Sequence, residues 1–280
     1  MKNGLLLFDL DRTLVDHEMA INDQRIFDWI KRFQAAGWAV GLNSDRSIEQ
    51  LQFYAKAFGT TGPIIGEKGN IVLFPGSKFP SIDPKITNIF DMVFAELVLR
   101  LRHELTENQV ILGNPSTVLL QLNGCQPDQP FTVVVINTTR KTSFAINVKR
   151  VTKTGLLPDR VMLQRICRTV EDIFQNKFHI DPWTDINYDV YSSAIYHLPQ
   201  ASKANGVATL LKEGYTPPVV MVGDSMSDFM FMGPKQEPVI HLAVGNADPA
   251  YKEKCVYSAR HHRTKGVVQC LSWLSKQKRQ

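Results

Sequence analysis

The chain has 280 residues, 44% of them apolar and 21% charged, the balance of a soluble globular protein with room for one large or two medium domains. Its formal charge of +5 is a property of its end: from Lys252 to Gln280 eight Lys and Arg stand against the single acid Glu253. That segment reads as a solvated terminal helix, and with no RNP-type aromatic motif and no zinc-finger spacing no nucleic-acid partner is expected.

In chain order, Leu5-Leu6-Leu7-Phe8 comes first, a continuous apolar run of the kind that forms a strand buried on both faces of a parallel sheet. It ends on Asp9-Leu10-Asp11-Arg12-Thr13. In an extended segment Asp9 and Asp11 share one side, about 6–7 Å apart. Two like charges that close favour a divalent cation or a proton on one of them. Asn22 and Asp23 offer caps for a helix carrying Ile26, Trp29, Ile30 and Phe33, with Gly37 at its end. Trp38 to Leu42 reads as a second strand, ending at Asn43-Ser44-Asp45-Arg46, and Ser47 to Gln50 has the form of a capping box for a helix stopped by Gly59. Ile64-Ile65 and Ile71 to Phe74 flank Gly66-Glu67-Lys68-Gly69-Asn70 as a short hairpin.

Pro75-Gly76, Pro80 and Pro84 form a proline-punctuated linker. After it come an amphipathic helix over 86–105, strands over Thr117–Leu122, Phe131–Asn137 and Ser143–Val148, a helix over 158–178, and strands near 185–191 and 195–198. This order predicts a separate α+β unit with an antiparallel sheet, residues 80–199. The first pattern then resumes. Lys203 heads a helix with Val207, Leu210 and Leu211 on its apolar side, and Val219 to Val222 is another buried strand running into Gly223-Asp224-Ser225-Met226-Ser227-Asp228. Val239 to Val244 is a further strand leading to Gly245-Asn246-Ala247, and Thr264 is placed to cap a last helix through Leu274. The predicted class is α/β: a Rossmann-like doubly wound parallel sheet from residues 1–79 and 200–280, with an α+β domain inserted at 80–199 and facing the strand ends.

Cys125, Cys167, Cys255 and Cys270 form no C-x-x-C pair and read as reduced thiols of a cytoplasmic protein. No stretch approaches the ~20 apolar residues of a membrane helix, and the run after Lys2 breaks at Asp9 without a signal-peptide cleavage site. No membrane partner is expected.

Taken together, Asp9-Leu10-Asp11-Arg12-Thr13, the strand-end hydroxyl of Ser44, the helix-leading Lys203 and the stretch Gly223 to Asp228 resemble, in order and spacing, the four motifs of the haloacid dehalogenase superfamily. The insertion resembles its C2 type of cap, near the Cof-type, sucrose-phosphatase and mannosyl-3-phosphoglycerate-phosphatase branch. Pro63 to Gly69 and Val244 to Pro249 are similar to accessory stretches of that branch. The resemblance implies Asp9 as a nucleophile that forms an aspartyl-phosphate, and Asp11 as the acid and base that serves the leaving oxygen and then the water. It implies Mg²⁺ held by Asp9, Asp224 and the backbone carbonyl of Asp11, with Asp228 binding through water or orienting Asp224. Ser44 and Lys203 would hold the phosphoryl oxygens.

The implied activity is a Mg²⁺-dependent phosphoric monoester hydrolase acting on a small phosphorylated metabolite, a sugar phosphate before others. A phosphotransferase or phosphomutase would use the same intermediate, and a non-catalytic protein could keep the fold. Three positions depart from the family pattern. Arg12 stands where Gly is common, and a side chain there costs roughly 1–2 kcal/mol if φ is positive. Asp45 stands beside the phosphate-binding hydroxyl, where it is expected to point away or pair with Arg46. Ser227 replaces a usual Asn. In the insert Arg140, Lys141, Lys149, Arg150, Arg160 and Asp189 read as solvated surface charges.

Overall fold

Leu5, Leu6, Leu7 and Phe8 form β1 (Leu5–Phe8), four residues without exposed surface. A strand that is apolar on both faces has to be covered on both and flanked on both edges. It is flanked by β2 (Ala39–Asn43) and β12 (Val219–Gly223), both parallel to it, with Phe8 opposite Leu42 on one side and Val222 on the other. The computed structural model describes residues 4–16, 20–105, 109–189, 191–232 and 239–277. The chain divides into two compact units, Met1–Ser81 with Ala201–Gln280, and Ile82–Gln200.

In the first unit β13 (Ile240–Ala243) and β14 (Tyr257–Ser258) continue the parallel sheet beyond β12. On the other side β3 (Ile64–Gly66) pairs parallel with β2, then β4 (Ile71–Leu73) turns back antiparallel, and β5 (Ser81–Ile82) ends the row. The chain leaves β1 toward β2 on one side and returns to β12 on the other. The carboxyl end of β1 is therefore the point where strand order reverses, the place where open α/β sheets hold ligands.

The helices follow local signals. In α1 (Arg25–Ala35) the Asp23 carboxylate accepts from the amide of Arg25 at 3.0 Å, and Ile26, Ile30 and Phe33 are buried at helical spacing. In α2 (Ile48–Phe58) Ser47 accepts from the Gln50 amide, and Gly59 at φ 69° closes the last turn. Thr264 lies within the first turn of α8 (Arg263–Gln277) instead of capping it, and its buried hydroxyl donates to the Leu14 carbonyl at 2.7 Å. Leu5, Leu7, Ile65, Val72, Val207, Leu210 and Met221 share one apolar core.

The second unit is built on a sheet ordered β10 (Trp183–Asn187), β11 (Ser193–His197), β8 (Phe144–Thr152), β7 (Phe131–Asn137), β6 (Val110–Gly113), with β9 (Gly155–Pro158) against β8. Val134, Ile136, Ile146, Val148 and Tyr196 pack with Val93 and Leu97 of α3 (Pro84–Glu104) and Leu163, Ile166 and Val170 of α5 (Arg160–Ile173). Three expectations are corrected here. Residues Thr117–Leu122 are helical, within α4 (Pro115–Asn123): Asn114 accepts from the Ser116 amide at 3.0 Å and Pro115 opens the first turn. Val118, Leu119 and Leu122 meet Val133, Val135 and Val151 along one helix stripe. Because α4 is a crossover, β6 and β7 pair parallel, so the sheet is mixed and not purely antiparallel. Lys149 is buried on β8, and that burial pushes its ammonium below the ordinary lysine range, so it is not a solvated surface charge.

Candidate active site

The Asp9 amide donates to the Val222 carbonyl at 3.0 Å, which fixes Asp9 at the seam between β1 and β12. Beyond it the chain coils tightly: the amides of Thr13, Leu14 and Val15 all converge on the Leu10 carbonyl, at 3.3, 2.9 and 3.1 Å. This turn sets Arg12 at φ 59°, the positive region in which a side chain is unfavourable. At the end of β12 the Asp228 carboxylate folds back and its Oδ2 accepts from the amides of Asp224 and Ser225, at 2.8 and 3.0 Å. A Cβ on Gly223 would lie 2.3 Å from that same oxygen, so only glycine leaves room for it.

Lys203 opens α6 (Lys203–Lys212), behind the Ser202 cap. A cation in the first turn opposes the helix dipole, and here it is only 2% exposed. Its Nζ donates to Asp9 Oδ1 at 2.7 Å and to Asp228 Oδ1 at 2.5 Å. Asp9, Asp224 and Asp228 are all buried and each offers an oxygen within 4.8 Å of the others'. Two of these three buried carboxylates meet the one buried ammonium, and the third, Asp224, lies 3.2 Å from the half-exposed Arg12 guanidinium. Burial, and after it Asp228, Asp11 and Asp224, hold Asp9 well above the usual carboxylate range against the pull of Lys203. Burial and then Asp228 push Asp224 up to about 7, with Arg12 and Lys203 working the other way. For Lys203 burial acts downward, but Asp228, Asp9 and Asp45 outweigh it and keep the ammonium well above its ordinary range. The cluster is short of positive charge, and Asp224 Oδ2 is a buried oxygen with no hydrogen-bond partner. Hard oxygen donors with this deficit fit a small divalent ion such as Mg²⁺.

The family model for haloacid dehalogenase-like hydrolases matches residues 6–271. The chain belongs to the haloacid dehalogenase-like hydrolases. A haloacid dehalogenase-like hydrolase from Bacteroides thetaiotaomicron superposes with a TM-score of 0.62 at 17% identity, covering 98% of this chain and 100% of the other. A protein of Thermoplasma acidophilum gives 0.60 at 16% identity, covering 98% and 99%, and a haloacid dehalogenase-like hydrolase from B. subtilis gives 0.57 at 15%, covering 96% and 99%. At such identities the likeness is one of fold. No curated protein sequence matches the chain.

In this haloacid dehalogenase-like hydrolase the remaining candidates share the same strand edge. Ser44 follows β2 directly, is buried, and its amide donates to the Ile65 carbonyl at 3.0 Å. The Asp11 carboxylate lies outside the group of three and is 48% exposed. The Arg46 guanidinium grips it at both oxygens, Nε to Oδ2 at 2.8 Å and Nη2 to Oδ1 at 2.7 Å. Sequence reasoning set Arg46 against Asp45 and missed its fork on Asp11. The available signal was position, since Arg46 follows Ser44 by two residues at the same strand end. Asn246 has a structural role as a clamp: its Nδ2 donates to the Arg12 carbonyl at 2.8 Å and its Oδ1 accepts from the Arg263 amide at 2.7 Å. Ser227 shares a 2.9 Å hydroxyl contact with Ser225. Among the described residues no helix is long and apolar enough to cross a membrane.

Proposed function

We propose that this hydrolase is a Mg²⁺-dependent phosphatase that cleaves a small phosphorylated metabolite through a phosphorylated Asp9. The observation that carries the reading is the group of three buried carboxylates at the reversal point of the sheet, two of them, Asp9 and Asp228, bridged by the buried Lys203. Asp9, Asp224 and the Asp11 carbonyl would hold the ion, with Asp228 behind them. Bound there, Mg²⁺ supplies the positive charge that lets a carboxylate approach a dianionic phosphoryl group.

The chain's own residues do the rest. Lys203 fixes one oxygen of Asp9 and presents its charge where phosphoryl oxygens would gather. Asp9 attacks phosphorus, the bond to the ester oxygen breaks, and Asp11 gives that oxygen a proton. Asp11 then takes a proton from the water that attacks phosphorus and frees Asp9. The Arg46 fork would position the Asp11 carboxyl two residues beyond the nucleophile, releasing one oxygen while that oxygen carries the proton given to the ester oxygen. Ser44, at the end of the neighbouring strand, would donate its hydroxyl to the phosphoryl group.

A sugar phosphate is the favoured substrate because the inserted domain and the stretches Pro63 to Gly69 and Val244 to Pro249 resemble the branch that includes sucrose phosphatase. A reducing cytoplasmic compartment belongs to the same reading, supported by four free cysteines. The test is phosphate release from a panel of sugar phosphates, nucleotides and cofactor phosphates, with Mg²⁺ and with chelator. Asp9→Asn should abolish turnover on any active substrate, a loss of at least about 10³-fold. Undiminished release by that variant would remove Asp9 as nucleophile.

A further inference from the structure

The Arg12 side chain spans two acids. Its Nε lies 3.2 Å from Asp224 Oδ2, and its Nη2 lies 3.7 Å from Asp248 Oδ1 and donates to the Asn246 carbonyl at 3.3 Å. The contact with Asp224 is a charge contact, because that oxygen has no aligned hydrogen-bond donor. The two acids differ in setting: the Asp224 side chain is 6% exposed and that of Asp248 is 49% exposed. The Arg12 backbone is clamped by Asn246, yet its side chain is 56% exposed. A guanidinium in this position can leave one carboxylate for the other without moving the chain.

We propose that Arg12 is a built-in counter-cation for Asp224, one that a divalent ion must displace toward Asp248 when it takes that carboxylate. The inference rests on the reading of Asp9, Asp224 and Asp228 as a metal site, and it adds a determinant of metal affinity. Two cations cannot share one buried carboxylate oxygen without repulsion, so Arg12 competes with the metal. This separates it from an ordinary outer partner. A group that orients a ligand strengthens metal binding, and its removal weakens it by about 10–100-fold. Removal of a competitor has the opposite sign. Holding an arginine at φ 59° also costs folding energy at a site where glycine would be unstrained.

The test is calorimetric titration of MgCl₂ into the full-length protein and its variants, with melting curves alongside. Arg12→Gly suits the positive φ and should fold; it is expected to bind Mg²⁺ about tenfold more tightly, equivalent to ~1.4 kcal/mol, and to show a larger Mg²⁺-induced rise in melting temperature. Arg12→Lys keeps the charge and should stay within about twofold of the parent. Asp248→Asn removes the alternative partner and should weaken Mg²⁺ binding severalfold in the parent but have little effect in the Arg12→Gly background, a pattern that a general loss of negative charge would not give. Equal or weaker binding by Arg12→Gly overturns the proposal and leaves the metal site standing. Failure of the parent and all variants to bind Mg²⁺ would remove the metal reading and the proposal with it.

Discussion

Lys203 shows how a single side chain can be poorly placed by local rules and well placed by its neighbours. Its charge sits at the positive end of α6, almost without water, where a lysine alone would be driven neutral. Asp9 and Asp228 reverse that outcome, at 2.7 and 2.5 Å. Breaking such a pair from one side leaves the other side buried and uncompensated, which typically costs about 3–5 kcal/mol. Lys203→Met should therefore lower unfolding free energy by about that amount in urea titrations at pH 7 with chelator present, besides abolishing phosphate release. Stability equal to the parent would mean that the ammonium does not hold the two carboxylates. The same reasoning explains why Lys203 could be picked from the sequence only through its company. By itself a lysine at a helix start is most simply a surface residue, and the carboxylates that justify it lie 194 and 25 positions away.

Among the elements, those that position the site were legible and several others were not. The strands β1, β2 and β12 are short apolar runs leading to Asp9, Asn43 and Asp224, the pattern of strands buried on both faces of a parallel sheet. Gly59 and Ser47 mark the ends of α2 by local chemistry alone. The stretch Thr117–Leu122 was misread because a short apolar run suits either a strand or a half-buried helix. The Asn114 cap and Pro115 were the signals that should have decided it. The Arg46 fork had one signal, its place two residues after Ser44 at a strand end, and that signal names no partner until the ends of β1 and β2 lie side by side. Helix α6 carries a further constraint, because a Cβ on Gly206 would come within 2.3 Å of Ile65 Cγ2 on β3. Gly206→Ala gains about 1 kcal/mol of helix propensity and loses more through overpacking, typically about 1–3 kcal/mol. It should lower stability slightly and activity more, because α6 shifts with Lys203 on its first turn. Ile65→Ala added to it should be less harmful than the two single effects combined, measured as a double-mutant cycle on urea midpoints. Strict additivity would show that the helix does not rest on Ile65.

At the scale of the whole molecule, folding stability couples to pH through groups buried in fixed protonation states. His241, on β13 one strand in from the edge of the parallel sheet, is one that lies apart from the proposed chemistry. Its Nε2 accepts from the Met230 amide at 2.9 Å, the ring also hydrogen-bonds the Val239 backbone, and the rings of Phe229 and Tyr251 stand 4.7 and 6.2 Å away. Burial pushes the imidazole down to about 4, against the Asp228 charge and the Val239 hydrogen bond. A histidine held neutral in the fold but free to protonate when unfolded contributes stability that is complete above pH 6.5. That contribution is lost as pH falls toward 4. Asp224 acts in the opposite sense, since a carboxylate raised to about 7 makes folding less favourable as pH rises through that range. The two slopes overlap, so a pH–stability curve of the parent alone would hide both. A comparison with His241→Gln isolates the first, because glutamine can accept the Met230 hydrogen bond without titrating and the Asp224 slope is common to both proteins. Between pH 7 and pH 5 the parent should lose about 2 kcal/mol more unfolding free energy than the variant. Parallel urea-derived curves for the two proteins would mean that His241 can take a proton inside the sheet, and that the Met230 contact does not fix its tautomer.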